Sequence, residues 1–236
     1  MAEIPGNRKS KSKRTTGKRI KEILKPFGKR STEQKERHKE KALNDLKFFA
    51  KHYFPHHLTE NCSAMHKEMF LRFQEQILNS EVTGKGSKEA LAAPRGNAKS
   101  TLTSLIVPLW CIAGSRKKFI VIISDTSEQA EEFLEQIKAE LEANERLIED
   151  FPEACGPGRT WKAAKLVTGN GVAVRCWGKR KRLRGARHGN RRPDLVICDD
   201  LEDDENIDSP EQREKDQKWF FKAVMKIGGR YTAYIV

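Results

Sequence analysis

The chain has 236 residues, 37% of them hydrophobic and 33% charged, enough for one α/β core with an appended segment. Its longest apolar stretches, near 102–113 and 119–123, fall far below the ~18 residues of a membrane span, and nothing resembles a signal peptide. The net charge of +13 is unevenly placed and points to a polyanionic partner. Cys62, Cys111, Cys155, Cys176 and Cys198 form no C-x-x-C pair, which reads as buried thiols in a reducing compartment and argues against a zinc site.

Residues 1–41 carry fifteen Lys or Arg against five Glu, a local charge of +10. Positions 7–19 show no apolar pattern and are expected to be disordered when free. From Thr32 the segment favours helix, with Ser31 or Thr32 as its cap. Residues 42–78 read as helical, interrupted by His52-Tyr53-Phe54-Pro55 and a polar turn at 58–63. Ser63 can cap a helix starting near Ala64, whose buried face is Met65, Met69, Leu71, Phe73 and Ile77. After the loop Gly84-Lys85-Gly86, the run Ala90-Leu91-Ala92-Ala93 reads as a buried strand, and 102–112 as a helix kinked at Pro108. The clearest strand is 118–124, followed by the capping cluster Asp125-Thr126-Ser127 and an amphipathic helix over 128–147. Pro152 and Gly156-Pro157-Gly158 break the chain, and 166–167 with 172–176 form a hairpin around Gly169-Asn170-Gly171. A short apolar run at 194–198, a helix over 210–225 and a β-rich run at 230–236 complete the pattern. Alternating strands and helices imply an α/β fold with a mostly parallel sheet covered on both faces.

Two motifs carry chemistry. In Pro94-Arg95-Gly96-Asn97-Ala98-Lys99-Ser100-Thr101 a small-residue turn precedes a lysine and two hydroxyls at the start of a helix. A strand, a tight loop and a helix N-terminus make a phosphate cradle: backbone N–H groups hold oxygens, the lysine neutralises charge, and a hydroxyl reaches Mg²⁺. The pattern departs from G-x-x-x-x-G-K-[ST], because Ala93 and Ala98 stand at the two glycine positions and only Gly96 remains. The second motif, Asp194-Leu195-Val196-Ile197-Cys198-Asp199-Asp200, is a buried strand ending in two carboxylates. At the carboxyl edge of a sheet Asp199 suits the Mg²⁺ shell beside Ser100, and Asp200, or Glu202 in its place, suits orienting or deprotonating water. Just before it, Lys179, Arg180, Lys181, Arg182, Arg184, Arg187, Arg191 and Arg192 include no acid among them, which suits a DNA backbone or a neighbouring subunit's nucleotide.

With these motifs the chain resembles the ATPase region of a large terminase subunit, the DNA-packaging motor of tailed bacteriophages. The match rests on 93–101, on Leu183-Arg184-Gly185-Ala186-Arg187, and on 192–202; Phe48-Phe49-Ala50, Tyr53-Phe54-Pro55 and His66 add to it. The resemblance implies a P-loop NTPase of the additional-strand type over 42–236, preceded by a basic N-terminal arm over 1–41. It implies ATP and Mg²⁺ as cofactors, with Pro94 to Thr101 as the Walker A loop and Asp199-Asp200 as the Walker B acids. Arg95 is expected to touch the γ-phosphate, and Arg184 or Arg187 to act as a trans finger on a neighbouring subunit's ATP. Double-stranded DNA, a homo-oligomeric ring, a portal protein and a small terminase subunit are the implied partners, and the host cell cytoplasm the location, with no membrane. The family would continue beyond Val236 with a coupling residue, a linker and a metal-dependent nuclease domain, so the N-terminal part of a longer protein, or a natural truncation, is expected. A helicase-like or DNA-repair ATPase, and a non-catalytic nucleic-acid-binding adaptor with a degenerate site, are the competing functions.

Overall fold

The computed structural model describes residues 8–94, 96–179, 181, 183, 185–201 and 209–236; for 8–15 and Glu81 only the backbone is described. The elements in order are α1 (Arg8–Ile23), α2 (Thr32–Asn44), α3 (Leu46–Tyr53), α4 (Ala64–Thr83), β1 (Lys88–Glu89), a π-helical stretch (Thr101–Ile106) and α5 (Val107–Ala113). Then follow β2 (Phe119–Ser124), α6 (Ser127–Ala143), α7 (Glu145–Asp150), β3 (Thr160–Lys162), β4 (Lys165–Val167) and β5 (Ala173–Gly178). The last are β6 (Leu195–Cys198), α8 (Pro210–Lys222), a short 3₁₀ turn (Val224–Lys226) and β7 (Ala233–Ile235).

The seven strands form one mixed sheet in the order β1-β7-β6-β2-β5-β4-β3. β1, β7, β6, β2 and β5 run parallel, while β4 and β3 add antiparallel pairs at the far edge. β7 therefore lies between β1 and β6. The completely buried run Phe119–Ser124 takes the centre, as a strand covered on both faces should. Alternation splits its side chains between two cores. Ile120 and Ile122 join the large core under α3, α4, α5 and α6, with Trp110, Phe49 and Phe73. Phe119, Val121 and Ile123 face a smaller core closed by Leu183, Ala186, Val224 and Ile227, with Trp219 and Phe220 of α8 against it.

Helix starts follow the side-chain chemistry: Ser31, Asp45, Ser63, Thr126, Asn144 and Ser209 each accept a backbone N–H at the head of α2, α3, α4, α6, α7 and α8. Several expectations need correction. Most of the segment expected to be disordered forms α1, which packs along α6 with Ile20 and Leu24 buried; Asn7 lies outside the described residues. Gly17 lies at this contact, where a Cβ would meet Ala143 Cβ at 3.6 Å, an ordinary packing distance. The strand expected at 90–93 is β1 at 88–89, on the sheet edge, with Ala90 and Ala92 exposed. The helix expected over 128–147 breaks at Asn144, which ends α6 and caps α7. Leu71, expected on the buried face of α4, is 59% exposed, and Phe70 is buried instead.

Residues 27–41 are tied to the body by one buried carboxylate. Arg30 donates to Asp150 Oδ1 at 2.6 Å and Oδ2 at 3.1 Å, Tyr53 Oη donates to Oδ2 at 2.6 Å, and His38 Nδ1 lies 3.2 Å from it. Phe27 packs edge-on against Tyr53 and His38. No helix is long and apolar enough to cross a membrane, among the described residues.

Candidate functional site

Beyond the edge strand β1, Pro94 and residues 96–101 follow at the carboxyl end of the parallel strands. The turn is tight: Asn97 Nδ2 donates to Pro94 O at 3.2 Å, and Gly96 (φ 79°) and Ala98 (φ 50°) are both left-handed. Glycine reaches that region freely, whereas an L side chain there costs about 1–2 kcal/mol. Ala98 thus takes a glycine-like backbone conformation at the position where the usual motif carries glycine. Beneath the loop, His66 in the first turn of α4 presents Nε2 to Asn97 O at 2.9 Å. Its Nδ1 accepts from Ser63 N at 3.2 Å, which leaves the ring proton on Nε2 to be donated to the loop. Tyr53 and Phe54 are fully buried in the core.

Helical hydrogen bonding starts at Ala98 O, which accepts from Leu102 N at 3.1 Å. Among the described residues no side chain caps this start, in contrast to the six helices above. A helix start of this kind offers its first N–H groups to an acceptor. The next turn is wide, with Val107 N–H bonded to Leu102 O, and it precedes Pro108 near the start of α5. A widened turn accommodates a proline ring and missing N–H that a regular turn would not. It also places two consecutive hydroxyls, Thr103 and Ser104, in the buried interior.

Those hydroxyls meet Asp199, which lies at the end of β6 and is 2% exposed. Ser104 Oγ donates to Asp199 Oδ2 at 2.6 Å, and the Thr103 hydroxyl is shared between that oxygen at 3.3 Å and Lys99 O at 3.0 Å. Lys99 Nζ lies 3.9 Å from the other oxygen, Oδ1. The two sequence motifs are therefore joined in space. Alongside, the β2–β6 register places Ser124 next to Asp199, and the Ser124 hydroxyl is buried with no partner among the described residues. Burial, then the charge of Asp199, pushes the neighbouring Cys198 thiol up to about 12, so it stays protonated.

The remaining expected residues divide by position. Ser100 and Thr101, both half-buried, follow Lys99 into the helix. Ser100 makes no side-chain hydrogen bond among the described residues; Asp199 is held by Thr103 and Ser104 instead. Asp200 is exposed and left-handed (φ 54°), and its carboxylate accepts from Gln129 Nε2 of α6 at 3.1 Å. Arg187 is exposed and lines a cavity of about 470 Å³ with Arg192, Lys222 and Lys226. That cavity lies towards the amino end of β6 and β7, because Arg192 precedes β6 and Lys226 precedes β7. Lys179 is internal, paired with Asp216 at 2.7 Å and Asp125 at 3.6 Å. Arg95, Arg184 and Glu202, and with them Arg180 and Arg182, lie outside the described residues. Reading the sequence missed Thr103, Ser104 and Ser124; a signal existed in Ser104, which lies one turn after Ser100.

The fold and the site define an α/β protein whose mostly parallel sheet joins, at its carboxyl edge, a lysine-bearing loop to a buried aspartate. No protein-family model and no curated protein matches the chain.

Proposed function

We propose that this chain is the ATPase domain of a viral DNA-packaging motor, hydrolysing ATP to move double-stranded DNA into a procapsid. The observation that carries the reading is the meeting of Lys99 with Asp199 at 3.9 Å, at the mouth of a left-handed loop and an uncapped helix start. The insertion of β7 between β1 and β6 supports it further, since one strand between the loop strand and the acidic strand is the additional-strand arrangement.

The residues fit a triphosphate and a divalent cation. The opening N–H groups of the helix and the Lys99 ammonium offer donors and positive charge to phosphate oxygens. Asp199, already buried and aligned by Ser104 and Thr103, offers a charged oxygen for Mg²⁺, with the Ser100 hydroxyl beside Lys99 in sequence and the orphaned Ser124 hydroxyl nearby. ATP would supply the phosphoanhydride, and Mg²⁺ the Lewis acid that neutralises charge developing on transfer. Asp200, the exposed acid at the same edge, or Glu202, would orient or deprotonate water. Arg95 would stabilise charge from within the loop. Arg187 lines the cavity towards the amino end of β6 and β7, whereas Asp199 follows the carboxyl end of β6, so it, or Arg184, would serve a neighbouring subunit in a ring. The exposed cations Lys18, Arg19, Lys21, Arg187, Arg191 and Arg192 are the candidates for DNA phosphate, whereas Lys179 and Arg30 are engaged in internal ion pairs.

Binding is the fairest test, because a finger supplied in trans would leave isolated subunits slow. A non-hydrolysable ATP analogue with Mg²⁺ should bind saturably and lose affinity in Lys99→Ala and Asp199→Asn. Magnesium-dependent hydrolysis should fall by orders of magnitude in Lys99→Ala and Asp200→Asn. Unchanged binding and turnover in these variants would reject the reading.

A further inference from the structure

A second cluster of chemistry-bearing side chains lies away from the loop. His56 and His57 occupy the turn after α3, and Glu140 stands in α6, 83 residues beyond His57. Both imidazoles direct Nε2 at a single carboxylate oxygen: Glu140 Oε1 is 2.8 Å from His56 and 2.9 Å from His57. One donor atom from each residue lies within 4.8 Å of the others. The second oxygen, Oε2, accepts from Asn144 Nδ2 at 2.7 Å, and the same amide donates to Tyr53 O at 2.8 Å. The carboxylate is thereby fixed from behind, the outer support that orients metal ligands.

The cluster is built around a deeply buried carboxylate. Glu140 is 1% exposed, and a carboxylate that deep costs several kcal/mol to desolvate unless charge compensates it. Among the described residues no lysine or arginine pairs with it; its ion-pair partners are the two imidazoles. The two rings also lie close together, with centroids 4.3 Å apart. His56 Nδ1 is buried without a partner among the described residues, so the ring is held through its Nε2 side. One divalent ion would meet both lone pairs and the anion at once.

We propose that His56, His57 and Glu140 bind a divalent transition metal of the zinc class, with solvent completing the shell beside His57. Ligand nitrogens and oxygens at about 2.0–2.2 Å from tetrahedral zinc stand ~3.3 Å apart, so the two nitrogen–oxygen spacings of 2.8 and 2.9 Å would open by about half an ångström, with the imidazoles turning to bring their nitrogens, now within 4.8 Å, to the same separation. His57, with its side chain 29% exposed, provides the entry side, whereas His56 at 6% does not. Such an ion would clamp the connection between α3 and α4 onto α6, just upstream of Ser63 and His66, which support the 94–101 loop. The cysteine pattern gave no hint of this site, and it rests on no part of the nucleotide reading.

The test uses the full chain freed of metal with a chelator, then titrated with Zn²⁺ by calorimetry and with Co²⁺ by visible absorption. A single equivalent should bind, raise the thermal midpoint reversibly, and give the strong d–d bands of four- or five-coordinate cobalt without thiolate charge transfer. Affinity should fall about 10–100-fold in His57→Gln and more in Glu140→Gln. His57→Gln keeps a donor for the carboxylate, and an unchanged circular dichroism spectrum and metal-free midpoint would show that it folds. Binding equally tight in a folded His57→Gln variant, a thiolate band placing the ion on cysteine, or no binding at all would overturn the proposal.

Discussion

Arg30→Ala removes the most deeply buried of the ion pairs that hold the basic arm to the α/β body. Asp150 is 0% exposed at its side chain, and Arg30, 14% exposed, grips both of its oxygens while also reaching Glu149 Oε1 at 3.0 Å. Burial works against the guanidinium charge, yet the bonds to Asp150 and Glu149 outweigh it and raise the Arg30 pKa above its ordinary value. Removing the arginine leaves a desolvated carboxylate with only the Tyr53 hydroxyl and His38, and breaking one side of a buried pair costs about 3–5 kcal/mol. The guanidinium also lies 4.3 Å from the Phe27 ring centroid, so truncation loosens that packing too. Denaturant titration of wild type, Arg30→Ala, Asp150→Asn and the double variant gives the coupling directly. The double variant should recover part of the loss, because it no longer buries an unpaired charge. A loss below about 1 kcal/mol in Arg30→Ala, the range of exposed ion pairs, would refute the docking argument.

Ala98→Gly should raise stability by about 0.5–1 kcal/mol, because relief of the left-handed strain exceeds the entropy cost of glycine; a lower denaturation midpoint would contradict the strain assignment. Ser104→Ala removes the 2.6 Å bond to Asp199 and should destabilise by about 1.5–3 kcal/mol, read from the same titration. A change within about 0.5 kcal/mol would mean that Thr103 alone satisfies the aspartate. Burial pulls the pKa of His38 and of His188 down from 6.5, with Asp150 opposing it at His38 and Arg30 and His52 adding to it. The unfolded chain then binds more protons just below about pH 6.5, so stability should fall as pH drops through that window and be regained above it. Midpoints that stay flat between about pH 7.5 and pH 5.5 would count against neutral, buried imidazoles.

Much of the central scaffold is legible in the sequence, and the reasons are local. The unbroken apolar runs of β2 and β6 can only be covered strands, and Ser31, Ser63 and Thr126 announce helices through chemistry confined to a few residues. The lysine of the loop and the acid of β6 were placed together from the chemistry they share, and the fold brings them within 3.9 Å. What stayed hidden depends on distant partners. Ala90 and Ala92 resemble core residues, yet β1 is an edge strand, so they face solvent. The charges of the arm suggested disorder, because nothing in 8–23 reveals that Ile20 would find α6. Asp150 and Glu140 look like ordinary surface acids on amphipathic helices; only the tertiary structure buries them among Arg30, Tyr53, His56 and His57. The widened turn that turns Thr103 and Ser104 towards Asp199 likewise leaves no pattern beyond the nearby proline.

The insertion of β7 has a kinetic consequence. Among the described residues β1 has no sheet neighbour except β7, and their register joins Lys88 to Tyr234 and Glu89 to Ile235. Closing so long a loop is entropically slow and yields no bonds until the later strand arrives. During synthesis β2, β5 and β6 can assemble first, while the stretch that leads into residues 94–101 waits at an open border. Emergence of β7 then closes the seam between β1 and β6, so ordering of residues 96–101 should follow the pairing of β7 and not the assembly of the early half of the sheet.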